Sequence, residues 1–394
     1  YTTNPKFFNM LSINPFAFNE EIHVLEHLDR LIEIFSACWP LYAAMPALLK
    51  SAFEHAYIRH GWDLNHSIHI DVGNGKYPTF LDVVDILPEL LEKSEFSAQT
   101  KGDYIGSLVT RVESLTNGLL GQIFSENAVE DSVMFDENTI VDLSRIGSTE
   151  TKALLMGVIV LKLNEYRQST ATGTNCPLKH ITILEEAHNL LKRTSTEQGQ
   201  ESSNVQGKSV EMISNSIAEM RTYGEGFIIV DQSPTAVDIS AIKNTNTKIV
   251  MRLPEYNDCE AVGHSIGLNE EQILELSKLD KGVAAVYQNS WLEAVLTKID
   301  KCSDRYEIKS ITQNNRTDDV LLIGDVLTEL VAQKESDDFN MSWFNTIINS
   351  SRSRSAIKEK CRNLLISYQK ARQSVTNNEK YNELVFELID CNDV

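Results

Sequence analysis

The run Ile181-Thr182-Ile183-Leu184 ends in two adjacent carboxylates, Glu185 and Glu186, and continues as Ala187-His188-Asn189-Leu190. An apolar run of this length bounded by polar residues reads as a buried strand, and the residues after it as the start of a helix. Two acids at a strand tip limit the fold strongly, because open α/β sheets gather ligands at the carboxyl ends of their strands. In a nucleotide hydrolase the first acid, here Glu185, binds Mg2+ directly or through water. The second, Glu186, polarises a water for in-line attack on a γ-phosphate. The alternative is a pair of acids placed in a first helical turn because the helix dipole favours them there.

A second apolar run, Gly226-Phe227-Ile228-Ile229-Val230, ends in Asp231-Gln232-Ser233-Pro234. A polar tip on a neighbouring parallel strand suits a γ-phosphate sensor, so Glu186 and Gln232 are expected to face one crevice. A third run, Lys248-Ile249-Val250-Met251-Arg252-Leu253, follows the polar turn Asn244-Thr245-Asn246-Thr247. Short strands alternating with helical segments predict an α/β fold with a parallel sheet covered by helices.

Taken in order, these segments resemble the motifs of HerA-type ATPases, of the HerA and FtsK group. They are Leu184-Glu185-Glu186-Ala187-His188-Asn189-Leu190, Met220-Arg221-Thr222-Tyr223-Gly224-Glu225-Gly226, Asp231-Gln232-Ser233-Pro234, and Asn244-Thr245-Asn246-Thr247-Lys248-Ile249. The resemblance reaches back to Ile13-Asn14-Pro15-Phe16, Gly61-Trp62-Asp63, Tyr77-Pro78-Thr79 and Val141-Asp142-Leu143-Ser144-Arg145. It implies a RecA-like, mostly parallel sheet flanked by helices, in a hexameric ring that binds ATP between subunits and moves double-stranded DNA. It further implies Glu185 on the Mg2+ side, Glu186 as catalytic base and Gln232 as sensor. Arg221 would supply a cation to the nucleotide site of a neighbouring subunit, where a guanidinium stabilises charge on the phosphoryl oxygens. Its alternative is an arginine closing a helix before Gly224. Arg252 is a second candidate for nucleotide contact. HerA-like rings work with nucleases in repair and with effector enzymes in prokaryotic anti-phage systems, so a nuclease or effector partner is implied. The competing function is a scaffold that assembles such an effector with little or no translocation.

The chain departs from the family in one respect. No G-x-x-x-x-G-K-[S/T] phosphate loop occurs in the 394 residues. Gly73-Asn74-Gly75-Lys76-Tyr77 comes nearest, but Ile70 stands where the first glycine belongs and Tyr77 where a hydroxyl ligand belongs, so it reads as a turn. The expectation is a chain that starts inside the ATPase domain, with Tyr1 where an initiator methionine would be; the alternative is a member that has lost hydrolysis.

The expected organisation is an ATPase core over 1–19 and 126–300, a helical insertion over 20–125 and a helical region over 301–394. The core opens on a strand through Phe7–Ile13. In the insertion, Val24, Leu25, Leu28, Leu31, Ile32 and Ile34 make a helical stripe. Further helices are expected over 45–59, 81–93 and 104–124. His66 and His69 lie three apart without an evident ligand set, so packing is the expected fate. Thr139–Leu143 reads as a strand, Ser148 as the N-cap of a helix running to Arg167, and Val283–Tyr287 with Leu292–Leu296 as a hairpin.

The net charge of −20 argues against a surface that binds nucleic acid all over, so any DNA contact must be local. One candidate is a polar loop from Lys192 to Lys208, which carries Lys192, Arg193 and Lys208; the other reading is a solvated loop. A second is the stretch with Arg352, Arg354, Lys358, Lys360, Arg362, Lys370 and Arg372 against the single acid Glu359. The six cysteines form no C-x-x-C pair and read as reduced small hydrophobes. No apolar run approaches the roughly twenty residues that span a bilayer, and a cytoplasmic location is expected.

Overall fold

The computed structural model describes residues 1–3, 9–71, 75–193, 201–301, 316–332, 340–351, 355–372 and 377–390. The chain divides into two compact units, Tyr1–Lys6 with Met10–Lys301 and Phe7–Asn9 with Cys302–Val394.

The first unit begins with α1 (Val24–Cys38), whose Val24, Leu28, Leu31, Ile32 and Ile34 are buried, as the stripe requires. Helix α2 (Met45–Arg59) coincides with the expected span. A two-residue ladder, β1 (Trp62–Asp63) with β2 (Ile68–His69), follows. Helix α3 (Phe80–Lys93) opens where Asp82 accepts from the backbone N–H of Thr79 at 2.7 Å and from its hydroxyl at 2.9 Å. The expected helix over 104–124 is instead broken into α4 (Ala98–Tyr104), a π turn at Ile105–Val109, α5 (Thr110–Ser114) and α6 (Gly118–Ile123). The break has a local cause. Thr116 Oγ1 and Asn117 Nδ2 both donate to the Glu113 carbonyl at the end of α5, and Gly118, at φ +58°, opens α6 in a new direction.

Helices α7 (Asp131–Phe135) and α8 (Thr149–Thr170) come next, and Ser148 Oγ caps α8 by accepting from Thr151 N at 3.3 Å. Residues 11–241 share one apolar core, with Leu28 and Phe35 of α1 in the same cluster as Leu154 and Leu161 of α8. Residues 201–208 are not loop but the start of α9 (Glu201–Glu219), where Gln206 donates to the Ala37 carbonyl and Ser209 to Glu33, tying the helix to α1. Thr194 and its neighbours to 200 lie outside the described residues. Thr139–Leu143 is not a regular strand either; it makes one isolated bridge, Thr2 to Asp142, and leaves Ile140 78% exposed. Of the expected strand through Phe7–Ile13, residues 4–8 lie outside the described residues and Met10 makes only an isolated bridge to Thr2.

Strands β3 (His180–Glu185) and β4 (Glu225–Val230) pair in parallel, His180 opposite Glu225 and Glu185 opposite Val230. Alternation sets their faces. Leu184, Phe227 and Ile229 pack toward the core, whereas Ile181, Ile183, Ile228 and Val230 are all more than 40% exposed on the other face. After α10 (Ile239–Asn244), strand β5 (Thr247–Val250) leads into α11 (Tyr256–Ser265) and α12 (Glu270–Leu276), then β6 (Val283–Gln288) and β7 (Val295–Lys298). The third run therefore joins an antiparallel sheet of order β5-β6-β7 rather than extending the parallel pair. A single crossover helix would carry the chain back to the start of a strand and give a parallel neighbour. Two helices packed against each other bring it back to the end where it left, and Leu253 N accordingly bonds Leu276 O beside the end of β5. The β6–β7 hairpin is present, with its second strand three residues later than expected.

The second unit comprises α13 (Arg316–Ala332), α14 (Met341–Ser350), α15 (Ser355–Arg372) and α16 (Asn377–Asp390) around Ile323, Val326, Phe344, Ile348, Leu365 and Leu388. In α15, Arg362 donates to Asn349 and Lys358 to the Ser351 carbonyl, so two of the clustered cations brace this bundle. Arg352 and Arg354 lie outside the described residues. No helix among the described residues is long and apolar enough to cross a membrane.

Candidate functional site

The tips of β3 and β4 bring together the acidic pair and the polar residues after the second strand. The parallel register sets Glu185 opposite Val230, so the next residues on each strand, Glu186 and Asp231, emerge side by side. Gln232 Nε2 donates to Glu186 Oε1 at 3.0 Å. Of the expected site residues, Glu186 and Gln232 are thus in direct contact. Glu186 stands in the left-handed region at φ +52°, ψ +46°, an uncommon conformation for a glutamate. The segment after it is a single 3-10 turn, Ala187–Asn189, and not a helix. Placement of the acids by a helix dipole therefore has no helix to act through. Asn189 folds back on the turn, and both its N–H and its Nδ2 donate to the Glu186 carbonyl.

Two further residues shape this tip. Asp231 Oδ2 accepts from the backbone N–H and from Nδ1 of His188, both at 2.8 Å, while Oδ1 accepts from Ser233 N at 3.0 Å. A carboxylate only accepts, so His188 carries its proton on Nδ1 here. Buried Asp258 of α11 then takes Thr235 N at 2.9 Å and Thr235 Oγ1 at 2.7 Å, which fixes the loop that follows. Asp258 lies in a region whose pattern is only that of an amphipathic helix, so its anchoring role has no signal in the sequence.

The Glu185 side chain points to the exposed face, and its carboxylate has no hydrogen bond or ion pair among the described residues. Mg2+ takes hard oxygen donors and usually uses one or two protein carboxylates, completed by substrate phosphates and water. A lone strand-tip carboxylate with no competing partner fits that requirement, and it does so without the three-ligand cluster that the described residues lack. His66, by contrast, bonds Asp63 Oδ2 at 2.8 Å through Nδ1, an acidic neighbour that the spacing to His69 did not bring out, and His69 lies 5.5 Å from the Trp62 ring. Lys76 is paired with Glu20 and lies over the Tyr77 ring, so it is engaged within its own turn.

Arg221 is exposed in the 3-10 turn Met220–Tyr223, ahead of β4, and makes no ion pair among the described residues. Gln232 follows the other end of the same six-residue strand. At about 3.3 Å per residue the two lie about 20 Å apart along the strand direction. The fold therefore does not bring Arg221 to Glu186 of its own chain. Arg252 donates Nε–H to the Ser277 carbonyl at 3.0 Å and so anchors the end of α12. Glu225, inside the same motif as Arg221, is buried and accepts from Arg167 Nε, His180 Nδ1 and Thr182 Oγ1. It fastens α8 to the parallel pair.

No protein-family model matches the chain. It is 26% identical over 182 residues to the DNA double-strand break repair helicase HerA of Sulfurisphaera tokodaii, covering 45% of this chain and 34% of that protein. The protein of the same name from Sulfolobus acidocaldarius is 27% identical over 177 residues, covering 44% and 33%. The chain thus matches about a third of the length of these relatives. Its fold is similar to that of VirB4 of Thermoanaerobacter pseudethanolicus, with a TM-score of 0.54, 16% identity and coverage of 74% of this chain and 75% of that one. With the acidic strand tip and its glutamine in contact, the chain is similar to these HerA proteins over about a third of their length.

Proposed function

We propose that the protein hydrolyses ATP as part of a ring-forming motor that acts on double-stranded DNA. The observation that carries this is the 3.0 Å hydrogen bond joining Glu186 to Gln232 across two parallel strand tips. Glu186 accepts a proton from the attacking water, and Gln232, donating to the same carboxylate, fixes its orientation and reports on the γ-phosphate. Glu185 would hold Mg2+, which when bound draws negative charge off the phosphoryl oxygens. Arg221, exposed about 20 Å from its own Glu186, suits a role in the nucleotide site of a neighbouring subunit. Arg252, tied to Ser277, keeps its terminal nitrogens for a nucleotide contact. The similarity to a break-repair helicase supports DNA as the substrate, and the net charge of −20 requires that the contact be local. A nuclease or effector subunit is the proposed partner, in repair or in anti-phage defence.

The test is ATP hydrolysis by the complete protein and by Glu186→Gln, each sized by column and assayed with and without duplex DNA. Loss of turnover in a variant that still forms the ring, with DNA stimulating the parent, supports the motor. Equal turnover in both overturns the assignment of Glu186. A ring without turnover leaves a scaffold for an effector, to be identified by what copurifies.

A further inference from the structure

The turn that carries Glu186 is held in a conformation that needs support. A glutamate at φ +52°, ψ +46° stays there only where its surroundings over-determine it. His188, two residues on, commits both its backbone N–H and its Nδ1–H to one oxygen, Asp231 Oδ2, each at 2.8 Å. The Asp231 side chain is 8% exposed, and the residue after it is Gln232, which donates to Glu186. These contacts close a ring from Glu186 through His188, Asp231 and Gln232 back to Glu186.

We propose that His188 and Asp231 are positioning residues for hydrolysis: their paired hydrogen bonds clamp the turn after β3 to the tip of β4, and so set the Glu186 carboxylate against Gln232. The proposal rests on Glu186 being the base. The β3–β4 ladder ends at Glu185 and Val230; past it, among the described residues, the clamp and the Gln232–Glu186 bond are the side-chain hydrogen bonds that hold residues 186–188 to residues 231–232. His188 Nδ1 lies 3.7 Å from Glu186 Oε2, beyond hydrogen-bond reach, so that oxygen remains available to a water.

The experiment compares His188→Leu, His188→Asn and Asp231→Ala in the complete protein. Asparagine keeps an N–H donor near the place of Nδ1, and leucine keeps bulk without a donor. Misplacing a catalytic group by about an ångström costs on the order of a hundredfold in rate. His188→Leu and Asp231→Ala are therefore expected to lose about that factor in kcat while KM for ATP stays within roughly threefold, and His188→Asn to recover most of the loss. A side chain that only stabilises the fold would change neither the split between kcat and KM nor the difference between leucine and asparagine. Unchanged kcat in His188→Leu overturns the proposal, as does a loss that asparagine fails to rescue. Hydrogen exchange of the 187–190 backbone gives a readout independent of ATP. Asp231→Ala is expected to speed it about tenfold or more, since that amide loses its acceptor, and unchanged protection overturns the clamp. If Glu186→Gln keeps full turnover while exchange responds as expected, the clamp stands and the base assignment falls.

Discussion

Glu186 combines two demands that pull apart. Its carboxylate faces Gln232, and its backbone sits in a region where a Cβ is unwelcome. Glycine removes the backbone penalty and the carboxylate together. Glu186→Gly is therefore expected to unfold at a denaturant midpoint no lower than that of the parent, with a gain of about 0.5–1 kcal/mol, while hydrolysis is lost; a midpoint clearly below the parent's would show that the turn is not strained. Gly224 presents the opposite case. At φ +87° an added Cβ would come 2.5 Å from the Pro177 carbonyl oxygen, so both conformation and space require glycine. Gly224→Ala is expected to cost about 1–3 kcal/mol, read from chemical denaturation. Arg221 followed by Gly224 reads as a helix stop in the sequence, whereas the close approach to Pro177 is a tertiary fact.

Among the elements, α8 is joined to the parallel pair through Glu225. Arg167 of α8 is 3% exposed and gives Nε–H to Glu225 at 2.8 Å and a second donor to Asp136 at 2.7 Å. Glu225→Ala leaves Arg167 its bond to Asp136 but takes the acceptor from Arg167 Nε, His180 and Thr182, and is expected to cost about 1–3 kcal/mol in denaturant melts. Helix α3 supplies a pH-dependent joint. Partial burial opposes ionisation of Asp82, but the Thr79 backbone N–H, His60 and the Thr79 hydroxyl together hold its pKa below the ordinary aspartate value. A depressed folded pKa stabilises above the unfolded value of about 4 and is lost as pH falls through the folded one. The parent is expected to weaken below about pH 4, and Asp82→Asn, costing roughly 1 kcal/mol at neutral pH through the helix start, to show a shallower acid loss. Parallel unfolding curves for the two proteins across that range would refute the linkage. Helix α2 and the cap of α8 were legible because periodicity and a serine cap are local signals. The break at Thr116-Asn117-Gly118 was missed because an apolar stripe continues across it while side chains compete for the backbone.

At the scale of the whole molecule, the second unit has its own core, built on Phe344, Ile323 and Leu365, all fully buried. Phe344→Ala is expected to remove about 3–5 kcal/mol from that unit. Scanning calorimetry should then show one transition moving down while the transition of the first unit keeps its place; a common shift would mean that the two units unfold as one.

The parallel pair and what stands at its tips were legible in the sequence, because strand period, the position of polar residues just past each strand and their order along the chain are local properties. The sequence placed Glu186 and Gln232 at one crevice, and the structure has them in contact. It did not reveal that β5 runs antiparallel to β6, since strand direction depends on whether one helix or two return the chain. Nor did it reveal the left-handed turn at Glu186 or the clamp from His188 to Asp231. Those depend on which side chains a second strand brings alongside the first, and only the packed sheet decides that.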